Sequence, residues 1–109
     1  MRPDELRDLL AGGNAPILLD VCLADDVSWR HDKLPNAQFV LDDALESWMQ
    51  TLAPDRPVVA YCMFGYQASG NAVLLLREHG FDVRALAGGI AAWRAIGEPT
   101  EPLKHEQAR

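Results

Sequence analysis

Two short, nearly unbroken apolar runs stand out along the chain: Pro16 to Cys22 (Pro-Ile-Leu-Leu-Asp-Val-Cys) and Val58 to Tyr61 (Val-Val-Ala-Tyr). Each is bounded by breakers, Gly12-Gly13-Asn14 before the first and Pro54 and Pro57 before the second. Short runs that are apolar at every position predict strands covered on both faces. Around them the period lengthens to that of helices. Residues 3–11 form a first helix, with Pro3 in its opening turn, Asp4 and Glu5 at its positive end, and Leu6, Leu9 and Leu10 on one face. Residues 24–36 are polar and irregular, with one helical turn at Asp25 to Arg30 and a bend at Pro35-Asn36. Gln38 to Leu41 is a short strand. Asp43 and Glu46 resemble a capping box opening a helix whose apolar positions are Leu45, Trp48, Met49 and Leu52. A third helix covers 68–79, with Ala68, Ala72, Leu75 and Leu76 inward and Gly80 at its end. Phe81 to Leu86 is a further strand. Gly88-Gly89 opens a last helix, Ile90 to Ile96, stopped by Gly97 and Pro99.

Alternation of buried strands with amphipathic helices predicts an α/β domain: a central, mainly parallel sheet with helices on both faces. Residues 1–98 carry this pattern as one domain, and the polar segment 99–109 is expected to be a flexible tail. No internal repeat is present. In sheets of this class the ligand site lies beyond the carboxyl ends of the strands. Cys22 and Cys62 each stand at such an end.

Composition narrows the partners. The formal net charge of -6, with its basic residues scattered, disfavours nucleic acid. No apolar run approaches the roughly 20 residues that span a bilayer, so no membrane partner is expected. The opening Met-Arg-Pro-Asp-Glu lacks the basic-then-apolar profile of a signal peptide, and the cytoplasm is the default location. Two cysteines and three scattered histidines show no zinc-ligand spacing, so no metal is expected.

The segment after the second strand, Cys62-Met63-Phe64-Gly65-Tyr66-Gln67, carries the candidate chemistry. A nucleophilic thiol needs its thiolate stabilised. A short loop bending around the sulfur with backbone N–H groups inward does this without a charged side chain, and the positive end of the following helix adds to it. Gly65 supplies a backbone conformation closed to other residues. The bland alternative is a small buried cysteine filling a strand end.

These residues resemble the active-site loop of rhodanese-like domains. The resemblance spans nearly the whole chain. Leu18-Leu19-Asp20-Val21 is similar to the family's early strand and Leu34-Pro35-Asn36-Ala37 to its Ile-Pro-Gly-Ala turn. Phe81-Asp82-Val83, Leu86, Gly88-Gly89 and Ala92-Trp93 are similar to its C-terminal signature. The resemblance implies the three-layer rhodanese-like fold and a sulfurtransferase reaction without a cofactor. Cys62 would be the catalytic residue, carrying sulfane sulfur as a persulfide, with Met63, Phe64, Gly65, Tyr66 and Gln67 forming the substrate-binding loop. The implied partners are a small sulfane-sulfur donor or a persulfide-bearing protein, and a thiol or cyanide-like acceptor.

Loop length refines the reading. Relatives acting on phosphate or arsenate have a longer loop ending in Arg, whereas here Ala68 and Ser69 follow Gln67 and no guanidinium grips an oxyanion. The loop also lacks the Arg or Lys of many thiosulfate-using relatives, and Cys22 stands where the family often has Arg. Thiosulfate is therefore an unfavoured donor. Two rival readings remain: a non-enzymatic sulfur-relay or interaction module, and a redox sensor pairing Cys62 with Cys22. Among the other residues, Asp20 is read as an acceptor of backbone hydrogen bonds, Trp48 and Trp93 as core, and Trp29 and His31 as surface-loop residues near the site's rim.

Overall fold

The computed structural model describes residues 1–52, 55–65 and 67–103. Its elements run in chain order α1 (Pro3–Ala11), β1 (Ile17–Cys22), β2 (Asp32–Lys33), β3 (Gln38–Leu41), α2 (Leu45–Met49), β4 (Val58–Tyr61), α3 (Gln67–Glu78), β5 (Val83–Ala85), α4 (Gly89–Ala95) and β6 (Glu101–Pro102). The main sheet has the order β3-β1-β4-β5, and every pairing in it is parallel. All positions of β1 and β4 are buried, which is why both read as continuous apolar runs.

Alternation along the strands sorts the core into two layers. Leu19 and Val21 of β1, with Val58 and Ala60 of β4, face α2 and α3. There they meet Leu45, Trp48 and Met49 from the one helix and Ala68, Ala72, Val73 and Leu76 from the other. Leu18, Val59 and Tyr61 face the opposite way, toward Leu6 of α1 and Ile90 and Trp93 of α4. The architecture is thus the expected three-layer α/β sandwich. Trp48 and Trp93 are core residues, as their spacing indicates, and each keeps its indole N–H bonded: Trp48 to Gln38 Oε1 at 2.8 Å, Trp93 to the Pro99 carbonyl at 2.8 Å.

Several boundaries differ from expectation, each for a local reason. The capping box at Asp43 and Glu46 does not form. Asp42–Ala44 winds as a 3-10 turn and α2 begins only at Leu45. The strand expected from Phe81 starts at Val83, because the Phe81 amide turns back to the Leu76 carbonyl (3.1 Å) across Gly80 at φ +85°. Residues 24–36 are more ordered than their polarity suggests: Ala24–Trp29 is a 3-10 helix, and β2 pairs antiparallel with β6. That pairing corrects the expectation of a flexible tail as far as residue 103. Lys33 and Glu101 form an ion pair across the ribbon, and Leu103 is buried against Cys22 and Phe39. Residues 104–109, like Ala53, Pro54 and Tyr66, lie outside the described residues.

Candidate functional site

Cys62 follows the last residue of β4, at the carboxyl edge of the sheet, and is 9% exposed. The chain must then turn back to start α3 at Gln67. Gly65 makes this possible with φ +82°; a Cβ there would also stand 2.9 Å from the Gly88 amide nitrogen. The approach is reciprocal. Gly89 has φ +61°, and a Cβ on it would fall 2.2 Å from the Cys62 carbonyl oxygen. The start of α4 is therefore pressed directly onto the loop. Its amides hold the loop's carbonyls: Ile90 N–H donates to Cys62 O (2.9 Å) and Ala91 N–H to Met63 O (3.0 Å). Gly65 and Gly89 are needed for this contact, which no side chain could enter, whereas a Cβ on Gly88 would instead fall 2.5 Å from Ala92 Cβ.

One side chain joins the thiol from α3. Ser69 is fully buried, with its Oγ 3.3 Å from Cys62 Sγ. When the sulfur is an anion the hydroxyl donates to it, adding a fixed hydrogen bond to the ionised form. Ser69 was legible only as a polar residue on the inward face of a helix that otherwise presents alanines and leucines.

The thiol opens into a cavity of about 340 Å³. On the loop side it is lined by Met63, Phe64, Gln67 and Ala68. Of the residues expected to bind substrate, Met63, Phe64 and Gln67 thus reach the cavity. Gly65 serves the turn instead, and Tyr66 lies outside the described residues. The opposite wall comes from the end of β1 and the 3-10 segment: Val21, Cys22, Leu23, Asp26, Trp29 and Arg30. Trp29, read from sequence as surface loop, is a cavity residue that remains exposed. His31 instead supports the ribbon, its carbonyl accepting from Leu103 N–H at 3.0 Å.

Arg30 fixes this wall. It is 2% exposed and reaches back to Asp20 on β1 with two bonds, NH1 to Oδ1 at 2.7 Å and NH2 to Oδ2 at 2.5 Å. NH2 also donates to the Asp32 carbonyl at 3.0 Å, and the guanidinium lies over Phe39, 5.4 Å from the ring centre. Asp20 is therefore structural as expected, but its partner is a guanidinium, not the backbone. Burial pushes the Asp20 carboxyl up from its ordinary value, against the pull of Arg30. Burial also pulls Arg30 down, and pairing with Asp20 more than offsets this, leaving it raised. The Tyr61 hydroxyl accepts from Leu34 N–H at 2.9 Å, and burial, then the nearby Asp20 charge, raise its ionisation well above normal.

The two cysteines line one cavity, Cys22 at the end of β1 and Cys62 just past the end of β4, but belong to different core clusters. Cys62 packs with Val21 and Ala60, Cys22 with Phe39 and Leu103. Burial raises the Cys22 thiol above its ordinary value, which disfavours its thiolate at neutral pH.

A family model described as "Rhodanese-like domain" matches residues 2–96. The chain belongs to the rhodanese-like domain family. Solved structures agree with this rhodanese-like assignment. The Alr3790 protein from Anabaena sp. is 30% identical, with 93% of this chain and 79% of that one covered and a TM-score of 0.79. A rhodanese-related protein from Thermoplasma volcanium shares the fold at 22% identity, with 93% and 95% covered and a TM-score of 0.78. A thiosulfate sulfurtransferase from Pseudomonas aeruginosa is 26% identical over 93% of this chain but only 19% of that one, with a TM-score of 0.71. Among the described residues of this rhodanese-like domain, no helix is long and apolar enough to cross a membrane, and no cluster of three or more His, Cys, Asp or Glu could hold a metal ion.

Proposed function

We propose that this rhodanese-like domain is a sulfurtransferase in which Cys62 carries sulfane sulfur as a persulfide. The observation that supports this best is the setting of the thiol. Cys62 Sγ stands at an open cavity, bonded to the Ser69 hydroxyl, in a loop whose carbonyls are tied to α4. The thiolate attacks the outer sulfur of a donor, the donor's S–S bond breaks, and the leaving group departs with the electron pair. A thiol or cyanide-like acceptor then takes that sulfur and restores the thiolate. Dividing one transfer into two displacements is covalent catalysis, and it needs no cofactor.

Phosphoryl transfer fits less well. The one guanidinium among the described cavity residues, Arg30, spends its fork on Asp20 and does not present it to a tetrahedral anion. A disulfide sensor fits less well too, because the two thiols pack into different core clusters, Cys62 with Val21 and Ala60 and Cys22 with Phe39 and Leu103.

The test is mass spectrometry after incubation with a sulfane donor, followed by a cyanide assay. The expected result is one added sulfur atom on Cys62, removed by cyanide as thiocyanate. Cys62→Ser should fold normally and abolish both, since serine is nearly isosteric and far less nucleophilic. Transfer persisting near the wild-type rate in Cys62→Ser would remove the assignment.

A further inference from the structure

The cavity in front of Cys62 is larger and more apolar than an inorganic sulfane anion requires. At about 340 Å³ it has room for roughly ten water molecules, judged by the volume each occupies in the liquid. Val21, Leu23, Met63 and Ala68 supply aliphatic wall. Two aromatic side chains from different segments line it while staying largely exposed: Trp29 at 72% and Phe64 at 59%. They therefore stand at its mouth. Large apolar groups left exposed around a concavity mark a surface meant to be covered.

Charge points the same way. Asp26 places a carboxylate in the wall, the protein carries -6 overall, and the wall's guanidinium is paired with Asp20. A multiply charged anion entering here meets the repulsion of Asp26, and the one guanidinium among the described cavity residues is engaged by Asp20.

We propose that the cavity takes an organic sulfane donor with an apolar, preferably aromatic, body held between Trp29 and Phe64, and that Trp29 is the residue that sets this preference. The inference rests on the sulfurtransferase reading and specifies its substrate class. With an aryl thiosulfonate, the Cys62 thiolate attacks the outer sulfur and the S–S bond breaks. The aryl sulfinate leaves with the electron pair, and Cys62 keeps the sulfur as a persulfide anion. Total charge is two negative before and after. Ring stacking against an indole, together with burial of the ring, favours an aromatic over a methyl body by about tenfold in kcat/KM.

The experiment compares benzenethiosulfonate with methanethiosulfonate, which share charge and leaving-group chemistry and differ in the body alone. Each kcat/KM from a cyanide assay is divided by the donor's rate with a free thiol. The expected wild-type ratio favours the benzene donor by roughly tenfold, and Trp29→Ala should bring it close to one. Leu74→Ala, an exposed apolar residue of α3 outside the cavity, should leave the ratio unchanged. Binding is read separately, by titration with benzenesulfinate. The titration uses Cys62→Ser, which cannot transfer sulfur, and the Cys62→Ser/Trp29→Ala double variant, in which the cavity fluorophore is gone, so binding is read by isothermal titration calorimetry for both proteins. Saturable binding in the first and its loss in the second are expected. A wild-type ratio near one, or a ratio untouched by Trp29→Ala, overturns the proposal. If neither thiosulfonate nor a persulfide-bearing protein passes sulfur to Cys62, the sulfurtransferase reading fails by itself, and the titration still decides whether the cavity takes an aromatic body. Turnover only from a persulfide-bearing protein, with no response to benzenesulfinate, overturns the proposal in favour of a relay.

Discussion

Two buried polar groups lie on opposite faces of the sheet near the same carboxyl edge, and they are held in different ways. On the α1 and α4 side, Asp20, Arg30 and Tyr61 form a cluster of opposite charges and a phenol. On the α2 and α3 side, Cys62 has the neutral hydroxyl of Ser69 beside it. The domain's buried ion pair places a wall of the cavity, while the side chain nearest the thiol on α3 is a hydroxyl. A charged group close to the sulfur would also attract or repel substrate. With the Arg30 guanidinium engaged by Asp20 and Asp26 repelling anions at the wall, the cavity can select by shape and apolar contact.

The comparison breaks most severely at the charged side. Asp20→Ala should destabilise the protein by about 3–5 kcal/mol, because it leaves the Arg30 guanidinium buried without its carboxylate. Urea unfolding monitored by circular dichroism would show this as a lower midpoint at similar slope. Replacing both partners together, Asp20→Leu with Arg30→Met, should recover much of the loss, since it is the unpaired charge that is costly. A single variant as stable as wild type would mean that the pair contributes only specificity of position.

That prediction also shows where sequence reasoning runs out. Strands β1 and β4 were legible because burial on both faces leaves an unbroken apolar run. The loop from Cys62 was legible because a strand–cysteine–glycine–helix order has a chemical reason. The opposite wall was not, apart from Trp29 near the rim. Leu23, Asp26, Trp29 and Arg30 sit in a segment with no apolar period, and their placement depends on a bond between Asp20 and Arg30 across an irregular stretch. Nor could the docked segment 99–103 be foreseen. Two-residue strands carry no pattern, and the contacts that hold them are single bonds, such as Trp93 to the Pro99 carbonyl and Leu103 N–H to His31.

On the neutral side the expected effect is smaller and falls on chemistry. A hydrogen bond to a charged group contributes roughly 1.5–3 kcal/mol, so Ser69→Ala should slow sulfur transfer by roughly ten- to a hundredfold. If the hydroxyl stabilises the thiolate, the same variant should shift the midpoint of iodoacetamide alkylation of Cys62 to higher pH. A purely structural role would lower stability and leave that midpoint in place. Alkylation against pH, with the Cys22 adduct resolved by peptide mapping, separates the two.

The smallest effect belongs to the ribbon that closes the charged wall. Asp32 is held below its ordinary value by its hydrogen bond to Arg94, and Glu101 by its bond to Lys33. Both are carboxylates with lowered folded values, so their contribution is fully present above the unfolded values, near pH 4. It is lost as pH falls through the lower folded values. Both pairs are partly solvated, and exposed pairs contribute about 0.2–1 kcal/mol each, so the opening should be local and at most about fivefold in equilibrium for each pair. The Leu103 amide, bonded to His31 O, reports the ribbon, and the Leu86 amide, bonded to Ala60 O at 2.9 Å, reports the main sheet. Between pH 5 and pH 3 the hydrogen-exchange protection factor of Leu103 should fall severalfold while that of Leu86 holds. Glu101→Gln should already show reduced Leu103 protection at pH 5, with a weaker further loss in acid. Equal losses at both amides would mean that acid unfolds the whole domain at once, and that the ribbon has no separate stability for these carboxylates to control.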